Sequence, residues 1–469
     1  MAISSPRRWL VVGDVGRTDA YHVGDESMLL GLVEGIRAEG VAVEWTVIGD
    51  ASVAGPDLDV DVGRHDALII AGGGNLSPVW PDHVRRRAAL VRAARLAGRP
   101  VVVTGQTIGP VLTAPSRDLV GEILSSAALV GVREEDSYRL ALALGVPPGR
   151  LSLQVDDASG LEAVAPSAAD AITGGGGFIA FTLNPLGTDA DGLDTVPRLA
   201  AQLVDLAGRT GVAVVIVPHV GHRGGAPAHD VAVAHALVAA GRSPALRAAP
   251  LPSPPEAVWY CKQADLVVSS RYHPLVFATA AGTPALLLHQ DLYTRTKGEG
   301  ALAHVGLQRW SLPVGEAALG LLLPAAVELW EARASVRAHL EAVQPAMRES
   351  IRRHHRAVLA ALSGAGTGAI APPVLQPLGP SPQGEWFAGA HDALRALGRQ
   401  AELASALQQI GQQAGRAGTA EAYARTLTAE VERKNGQLVT AHAALEEAFR
   451  RAEAAEARAA RLAGSGADE

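Results

Sequence analysis

Short apolar runs alternate with amphipathic stretches over the first third of the chain. These runs are five or six residues long and are bounded by glycine or polar residues, which predicts buried strands. Helical periodicity between them, as at His83–Ala97 and Asp136–Leu144, predicts connecting helices. Continuous apolar strands that alternate with helices are typical of a parallel sheet covered on both faces. The predicted strands are Trp9–Gly13, Val43–Ile48, Ala67–Ala71, Pro100–Thr104, Ala128–Val132 and Leu151–Val155.

The same pattern restarts after a break. Residues 165–177, APSAADAITGGGG, are too small to pack a core and predict a linker or hinge. The pattern therefore predicts an α/β chain of two Rossmann-like domains that face each other across a cleft. In such sheets ligands bind beyond the carboxyl ends of the strands. The predicted strands of the second domain are Phe178–Leu183, Val212–Val217, Ala245–Ala248, Leu266–Ser269 and Ala285–His289, and its predicted helices are Val196–Arg209, His229–Ala240, Pro255–Lys262 and Pro274–Ala281.

A different composition follows the second domain. Ala325–Leu362 is helical in pattern and is expected to pack on the domains, whereas Ser363–Gly384 is rich in Pro, Gly and Ser and predicts a linker. Beyond it, apolar residues spaced by three and four from Leu403 to Phe449 predict a helical, coiled-coil tail for oligomerisation or a partner helix. The predicted divisions are residues 1–164, 165–177, 178–362, 363–384 and 385–469.

Composition narrows the class of protein. A chain of 469 residues exceeds one ordinary domain, and 4% aromatic residues favour Ala/Leu/Val-rich α/β packing over a β-sandwich. The net charge of −7, with acids and bases interspersed, predicts neither nucleic acid nor an anionic membrane as partner. The single cysteine, Cys261, excludes an intramolecular disulfide and a Cys-based zinc site.

The amino terminus does not resemble an export signal. Arg7 and Arg8 precede an apolar stretch that ends at Gly13, shorter than a signal peptide needs. No run approaches the ~18 apolar residues of a membrane span. We therefore expect a cytoplasmic protein without a transmembrane segment.

Three glycine-bearing loops follow strands of the first domain. Gly13 and Gly16 do not complete a dinucleotide fingerprint, and Asp25 after Gly24 is a candidate helix N-cap. The second loop and the third carry candidate ligand contacts, because glycines let a ligand approach the backbone and amides both donate and accept. These candidates are Gly73, Gly74 and Asn75 in IIAGGGNLSP and Gln106 in VTGQTIGP.

Charged residues at other strand ends leave alternatives open. Arg133 contacts either a ligand or, as a surface ion pair, Glu134 or Glu135, and Asp157 either caps a loop or closes the cleft. The histidines of VPHVGHRGGAPAHD lack the spacing of a metal motif, so no metal is expected. His219 directly follows a strand and is the best placed of them to touch a ligand.

The stretch SSRYHPLVFATAAGTP carries the clearest chemistry. Pro274 suits the first turn of a helix, which places Arg271 and His273 at a helix N-terminus, where free N–H groups and the dipole favour anions. An arginine fork recognises phosphate or carboxylate, and a histidine transfers protons near neutral pH. Tyr293 and Lys297 follow the next strand, so cations from neighbouring loops converge on one predicted anion site.

Taken together, these motifs resemble the polysaccharide pyruvyl transferase family over roughly Trp9–Leu307. The resemblance implies a glycosyltransferase-B-like fold and transfer of an enolpyruvyl unit from phosphoenolpyruvate to sugar hydroxyls, forming a pyruvate ketal. The acceptor would be a glycan or a lipid-linked sugar, the latter bringing the protein to a membrane, and no metal or organic cofactor is implied. The matching segments are Gly24-Asp25, Ala71–Asn75, Gly105–Pro110, Val132–Ser137, Asp156–Ala158 and Ser269–Pro284 with Lys297.

The resemblance also implies roles for single residues. Arg133 and Arg271 would hold the phosphate or carboxylate of the donor, and His273 would bind phosphate or act as general acid. The first loop is longer than the family leads us to expect, and the tail lies outside the resemblance. The aromatic candidates for stacking a sugar are Trp80, Trp259 and Trp310.

Two other functions fit the same sequence. One is a nucleotide-sugar-dependent glycosyltransferase of the same architecture, although neither a ribose-binding acid nor a nucleobase slot is evident. The other is a non-enzymatic scaffold that recruits partners through its tail, which the intact Arg271, His273 and Lys297 disfavour.

Overall fold

Two parallel sheets, each flanked by helices, form the part of the chain that the computed structural model describes, residues 7–49, 60–185 and 194–363. The predicted Pro/Gly linker from residue 364 onward and the predicted helical tail lie outside these residues. We call the first sheet with its helices the N-terminal lobe and the second sheet with its helices the C-terminal lobe. Within the described ranges, no helix has both the length and the apolar composition needed to cross a membrane.

The N-terminal lobe is built on a seven-stranded parallel sheet of order β3-β1-β4-β6-β7-β8, with β5 paired to β6. Its strands are fully apolar where helices cover both faces, as at β4, where all four residues are buried. The strands of this sheet are β1 (Arg7–Gly13), β3 (Val43–Gly49), β4 (Ala67–Ile70), β5 (Gly73–Leu76), β6 (Val101–Ile108), β7 (Leu129–Val132) and β8 (Leu151–Leu153). The short strand β2 (Tyr21–His22) lies outside it, and the helices of the lobe are α1 (Val23–Ala38), α2 (Pro81–Leu96), α3 (Ala114–Ser126) and α4 (Glu135–Ala143).

The C-terminal lobe repeats this plan with a six-stranded parallel sheet of order β12-β10-β9-β13-β14-β15. Cys261 is buried in its core. The strands of this sheet are β9 (Phe178–Thr182), β10 (Ala213–Ile216), β12 (Leu246–Ala248), β13 (Leu266–Ser269), β14 (Ala285–His289) and β15 (Ser311–Pro313), and the short strand β11 (Val220–Gly221) lies outside it. The helices are α5 (Ala169–Thr173), α6 (Thr195–Thr210), α7 (Asp230–Gly241), α8 (Pro254–Gln263), α9 (Tyr272–Ala281), α10 (Leu292–Ala303), α11 (Val314–Glu316), α12 (Leu322–Glu331) and α13 (Arg333–Ser363).

The alternating pattern therefore predicted the fold class correctly: two Rossmann-like sheets, with each strand and helix inferred for them present to within a few residues at its ends. It missed the short strands. The first three residues of β5, Gly73, Gly74 and Asn75, have low intrinsic strand preference. The strand forms because β6 extends beyond β4 and pairs with β5 through Gln106 and Ile108.

The first loop is a link between the lobes. Its strand β2 pairs antiparallel with β11, and the Val23 amide donates to the carbonyl of His219 at 3.0 Å. The prediction that Asp25 is the N-cap of α1 is wrong: the helix begins at Val23, and the His22 side chain accepts from the Asp25 amide. Backbone pairing with the other lobe fixes the start of the helix two residues before the carboxylate.

The small-residue segment 165–177 is not a featureless linker. It contains α5, which lies beside β10 and β12 and ends at Gly174 with φ +84°. The Arg247 guanidinium donates to the Ile172 carbonyl at 3.1 Å, so the segment is bonded to the C-terminal lobe.

Helix α13 runs from one lobe to the other. Val336 and Leu340 near its start belong to the core of the C-terminal lobe, whereas Val358 and Leu362 near its end pack with Trp9 of the N-terminal lobe. The 31-residue helix thus joins the two cores.

Asp157 bonds this helix to the N-terminal lobe. The loop cap is Asp156, whose carboxylate accepts from the Ala158 amide, while Asp157 accepts from His355 Nε2 at 3.0 Å. Burial raises the pKa of the Asp157 carboxyl, but the hydrogen bond and charge of His355, together with His354 and Thr104, outweigh it, so the pKa lies below its ordinary value. Neither alternative considered for Asp157, loop cap or cleft closure, is correct.

Replacing Asp157 by Asn removes the charge that faces His355 and turns one of the two oxygens that accept from His355 and Thr104 into a donor. It should lower the free energy of unfolding by about 1–3 kcal/mol, the cost of leaving a buried polar group poorly paired. The exposed Asp118→Asn variant of the same lobe is the control and should change it by less than about 0.5 kcal/mol. Because the folded pKa is depressed, the contribution of the carboxylate is present above the ordinary aspartate range and is lost as the pH falls through the folded pKa. Urea titrations at neutral and at progressively lower pH measure both effects. Equal stabilities of the two variants at neutral pH would contradict the pairing.

Candidate functional site

Side chains from both lobes meet where their strands end. Arg133 follows β7, Asp156 follows β8, and Arg271 follows β13. His273 of α9 lies 3.8 Å from Asp156, measured from Nε2 to Oδ2, so residues from opposite lobes share one site. Because the carboxyl ends of parallel strands are the usual place for ligands, this junction is the candidate active site.

Arg133 is buried at the centre of the junction. Its Nη1 donates to Asp156 Oδ2 at 2.9 Å, its Nε donates to Thr107 Oγ1 at 2.9 Å, and its guanidinium lies 4.0 Å from the centre of the Tyr272 ring. Burial alone would lower the pKa of Arg133, but Tyr272 and the carboxylates of Asp156 and Glu134 raise it above its ordinary value. The ion pair with Glu134 considered from sequence is present, at 3.9 Å between Nε and Oε2, but it is buried and not on the surface.

The two acids that follow Arg133 lie in different environments. Glu134 is buried and accepts from Thr107 Oγ1 at 3.0 Å, whereas the exposed Glu135 pairs with Arg139 at 2.6 Å. Burial raises the pKa of Glu134 to about 7 in spite of the charge of Arg133. Glu134 thus carries a proton for part of the time near neutral pH and balances Arg133 only partially.

Arg271 is oriented by a carboxylate of its own lobe. Its Nη2 and Nε donate to the two oxygens of Asp230 at 2.6 and 3.0 Å. The same carboxylate accepts from the backbone amides of His219 and Val220, each at 3.1 Å. This two-point pair fixes the plane of the guanidinium and leaves Nη1 outside it, with 22% of the side chain exposed.

His273 is buried against the start of α1. A Cβ on Gly24 would lie 1.8 Å from its Nδ1, so only glycine fits at that position. Its Nε2 has no hydrogen-bond partner, and burial, followed by the charge of Arg133, lowers its pKa well below the ordinary value. The imidazole is neutral at neutral pH in this state.

Two further histidines surround His273. The ring of His22 lies 6.3 Å from it, and the rings of His219 and His273 both pack on Phe277, at 6.2 and 6.0 Å between centres. Burial is the main reason that the pKa values of His22 and His219 are lowered to about 3. Both ring nitrogens of His219 lack a hydrogen-bond partner.

The other histidines of that loop do not join the site. His222 and His229 are exposed. Among the described residues, no group of three His, Cys, Asp or Glu side chains is arranged to bind a metal ion. Of the three loop histidines, His219 alone reaches the junction.

Helix α10 brings an ammonium group and a phenol from the C-terminal lobe. The Tyr293 hydroxyl donates to the Gly74 carbonyl at 3.0 Å across the junction, and a Cβ on Gly74 would lie 1.8 Å from that hydroxyl oxygen. Lys297 Nζ lies 4.3 Å from the centre of the Tyr293 ring. Burial, followed by the charges of Arg133 and Arg271, lowers the pKa of Lys297 to about 8.

The remaining candidates lie on the N-terminal lobe. Gly73 pairs with Gln106 between β5 and β6, and the Gln106 side chain is fully buried and bonded to the Ala71 carbonyl. Asn75 Nδ2 lies 3.3 Å from His83 Nδ1. Gln106 thus holds the glycine loop through the Ala71 carbonyl. Asn75 lies beside His83, nearer the mouth of the cleft.

Sequence reasoning missed two charged residues. Asp25 lies in the first turn of α1, with its Oδ2 3.3 Å from His22 Nδ1, and burial raises its pKa to about 6 against the charges of Arg133, Lys297, Arg87 and Arg271. Arg87 of α2 is fully buried although its helix reads as a surface helix. The feature of the sequence that could have identified Asp25 as a site residue is its position next to Gly24, where any side chain would collide with the His273 ring.

This arrangement suits a small polyanion. The charges of Arg133, Lys297 and Arg271 all lower the pKa of Asp25 against the effect of burial, so the three cations act on one acid. Low dielectric strengthens each of their fields relative to water.

Comparison with known proteins supports this description. Residues 22–290 match the family model described as polysaccharide pyruvyl transferase. No curated protein matches the chain.

Solved structures share the fold. The S. aureus MnaA-UDP co-structure is 12% identical, covers 77% of this chain and 98% of its own, and has a TM-score of 0.52. A putative UDP-N-acetylglucosamine 2-epimerase from Listeria monocytogenes is 13% identical over 77% of this chain and 97% of its own, also with a TM-score of 0.52. At such identities the likeness shows the two-domain, glycosyltransferase-B-like fold alone.

The family match includes the second and third glycine loops, Arg133, Asp156, Arg271 and His273, and it spans more than half of the chain. The chain belongs to the polysaccharide pyruvyl transferase family.

Proposed function

We propose that this protein transfers the enolpyruvyl group of phosphoenolpyruvate to two hydroxyls of one sugar in a glycan or glycan precursor, forming a pyruvate ketal and releasing phosphate. The observation that carries the proposal is the convergence of Arg133, Arg271, Lys297 and His273 with Asp25 at one junction in a chain of this family. Phosphoenolpyruvate brings a carboxylate and a phosphate on three carbons, which matches a compact group of cations.

The donor is held by charge and by backbone. Arg271 offers the Nη1 edge that Asp230 leaves open, and it stands directly before α9, whose first N–H groups favour an anion. Lys297 supplies a second cation from α10. Arg133, already paired with Asp156, contributes its field and orients Tyr272 and Asp156 around the donor.

The reaction then proceeds by addition and elimination. One sugar oxygen bonds to C2 of the enolpyruvyl group and gives up its hydroxyl proton, while C3 takes a proton and becomes a methyl group. The C2–O bond to phosphate breaks, leaving an oxocarbenium-like carbon. The second hydroxyl attacks this carbon, and the proton that it loses balances the one taken up by the departing phosphate. This sequence conserves all atoms and calls for no metal or organic cofactor, because the side-chain cations meet the charge that develops on phosphate.

Asp25 and His273 divide the proton transfers. With a pKa of about 6, Asp25 is protonated in about a tenth of molecules at pH 7, enough to protonate C3, and it becomes a base for the sugar hydroxyl. The pKa of His273 lies well below its ordinary value, but a phosphate dianion beside the imidazole would raise it. We assign His273 to binding and protonating the departing phosphate.

Arg271→Ala should weaken binding of phosphoenolpyruvate at least tenfold and reduce phosphate release by about 10²–10³-fold, because one arm of the anion site is lost. Calorimetric titration measures the binding without an acceptor. Phosphate release is measured with polysaccharide extracted from cells that lack the protein, and mass spectrometry of the product identifies the ketal.

The matched control is Arg209→Ala, an exposed arginine of α6 in the same lobe, which should behave as wild type. A wild-type protein that binds UDP-N-acetylglucosamine and ignores phosphoenolpyruvate would instead support the nucleotide-sugar enzyme.

The activity should depend on pH through Asp25 and Lys297. If Asp25 donates the proton to C3, kcat/KM should fall as the pH rises above about 6, where the free carboxyl ionises, and again above about 8, where Lys297 loses its charge. Asp25→Asn should lower kcat by about 10²–10⁴-fold and abolish the limb near 6 while keeping the one near 8. The exposed Asp19→Asn variant should keep both limbs. An unchanged limb near 6 in Asp25→Asn would rule out this role.

A further inference from the structure

The mouth of the cleft carries an exposed tryptophan. Trp80 immediately precedes α2 and is 44% exposed, and it is the one exposed aromatic residue in the described ranges 7–49, 60–185 and 194–363. The other aromatic candidates for a sugar are unsuitable: Trp310 is fully buried, and Trp259 packs on Phe178 in the core of the C-terminal lobe.

Its position connects it to the proposed donor site. The Trp80 indole lies beside the Tyr293 hydroxyl, whose pKa it lowers, and Lys297 Nζ lies 4.3 Å from the centre of the Tyr293 ring. Trp80 is therefore one side chain away from the ammonium group assigned to the donor.

Polar groups lie beside the ring. Trp80 packs edge-on against His83 at 5.7 Å between centres, and His83 Nδ1 lies 3.3 Å from Asn75 Nδ2. A rigid aromatic face bordered by an imidazole and a carboxamide combines an apolar surface with hydrogen-bonding groups. A pyranose has the same two characters, since its C–H groups form an apolar face and its hydroxyls form a polar rim.

We propose that Trp80, with Asn75 and His83, forms the acceptor subsite, in which a pyranose ring lies on the indole and directs its hydroxyl pair past Tyr293 toward the donor. This assignment rests on the proposed function for its chemical purpose. The ligand class is a neutral or weakly charged pyranoside at the end or on a branch of a glycan, because the ring must reach the mouth of the cleft.

Three variants test the subsite. Trp80→Ala should raise the acceptor KM at least tenfold and leave the Kd of phosphoenolpyruvate within twofold of wild type. Trp80→Phe keeps an aromatic face and should raise that KM less than about threefold. Leu96→Ala removes the 91% exposed leucine at the other end of α2 and should match wild type. Circular dichroism melts establish that each variant is folded.

A binding experiment separates this proposal from the reaction. Saturation-transfer NMR with methyl β-D-galactopyranoside, methyl β-D-glucopyranoside and methyl N-acetyl-β-D-mannosaminide needs neither donor nor turnover. We expect at least one glycoside to receive saturation from wild type, Trp80→Phe and Leu96→Ala, and to lose most of it with Trp80→Ala.

Glycoside binding that is unchanged in Trp80→Ala, or absent in the wild type, would overturn the subsite. If glycosides bind through Trp80 but phosphoenolpyruvate does not bind, the sugar contact stands and the proposed donor fails. The two hypotheses therefore have distinct results.

Discussion

The buried guanidinium of Arg133 is the interaction on which the junction of the lobes depends. Moving a full charge out of water costs several kcal/mol unless nearby groups compensate it. Here the compensation comes from Asp156 and Thr107 of the same lobe and from the Tyr272 ring of the other. The carbonyl of Arg133 also contacts His304 Nε2 at 2.8 Å, so side chain and backbone both connect the lobes. Any opening that separates Tyr272 from Arg133 would expose this charge to a poorer set of partners.

Histidine chemistry follows from the same enclosure. Burial near cations lowers the pKa values of His22, His219 and His273, so these imidazoles do not add three positive charges to the junction. An anion bound there reverses the balance, because its charge favours protonation of the imidazole nearest to it. The site thereby responds to its ligand by gaining a proton, and no rearrangement of the backbone is required.

The sequence predicted the fold and the Arg-x-His element because both depend on local patterns. Apolar runs identify buried strands, and Pro274 identifies the first turn of α9, which places Arg271 and His273 at the N-terminus of that helix. The pattern did not predict β5 or the pairing of β2 with β11, since these short strands exist only through partners distant in sequence. Asp25 was misjudged for a related reason: an acid after glycine suggests a cap, and only the folded chain shows that Gly24 admits the His273 ring. Asp157 was likewise unpredictable, because its partner His355 lies on a helix about two hundred residues later.

The lobes are joined at more than one place: by the chain at residues 165–177, by the β2–β11 pair and by helix α13. These three connections restrict how far the lobes can separate. Substrates therefore reach the floor of the cleft mainly through its mouth. If a polymer rests on Trp80 at that mouth, it blocks the path for anything smaller. The compact donor then has to bind before the glycan. The order of substrate addition is thus a consequence of the connections between the two lobes.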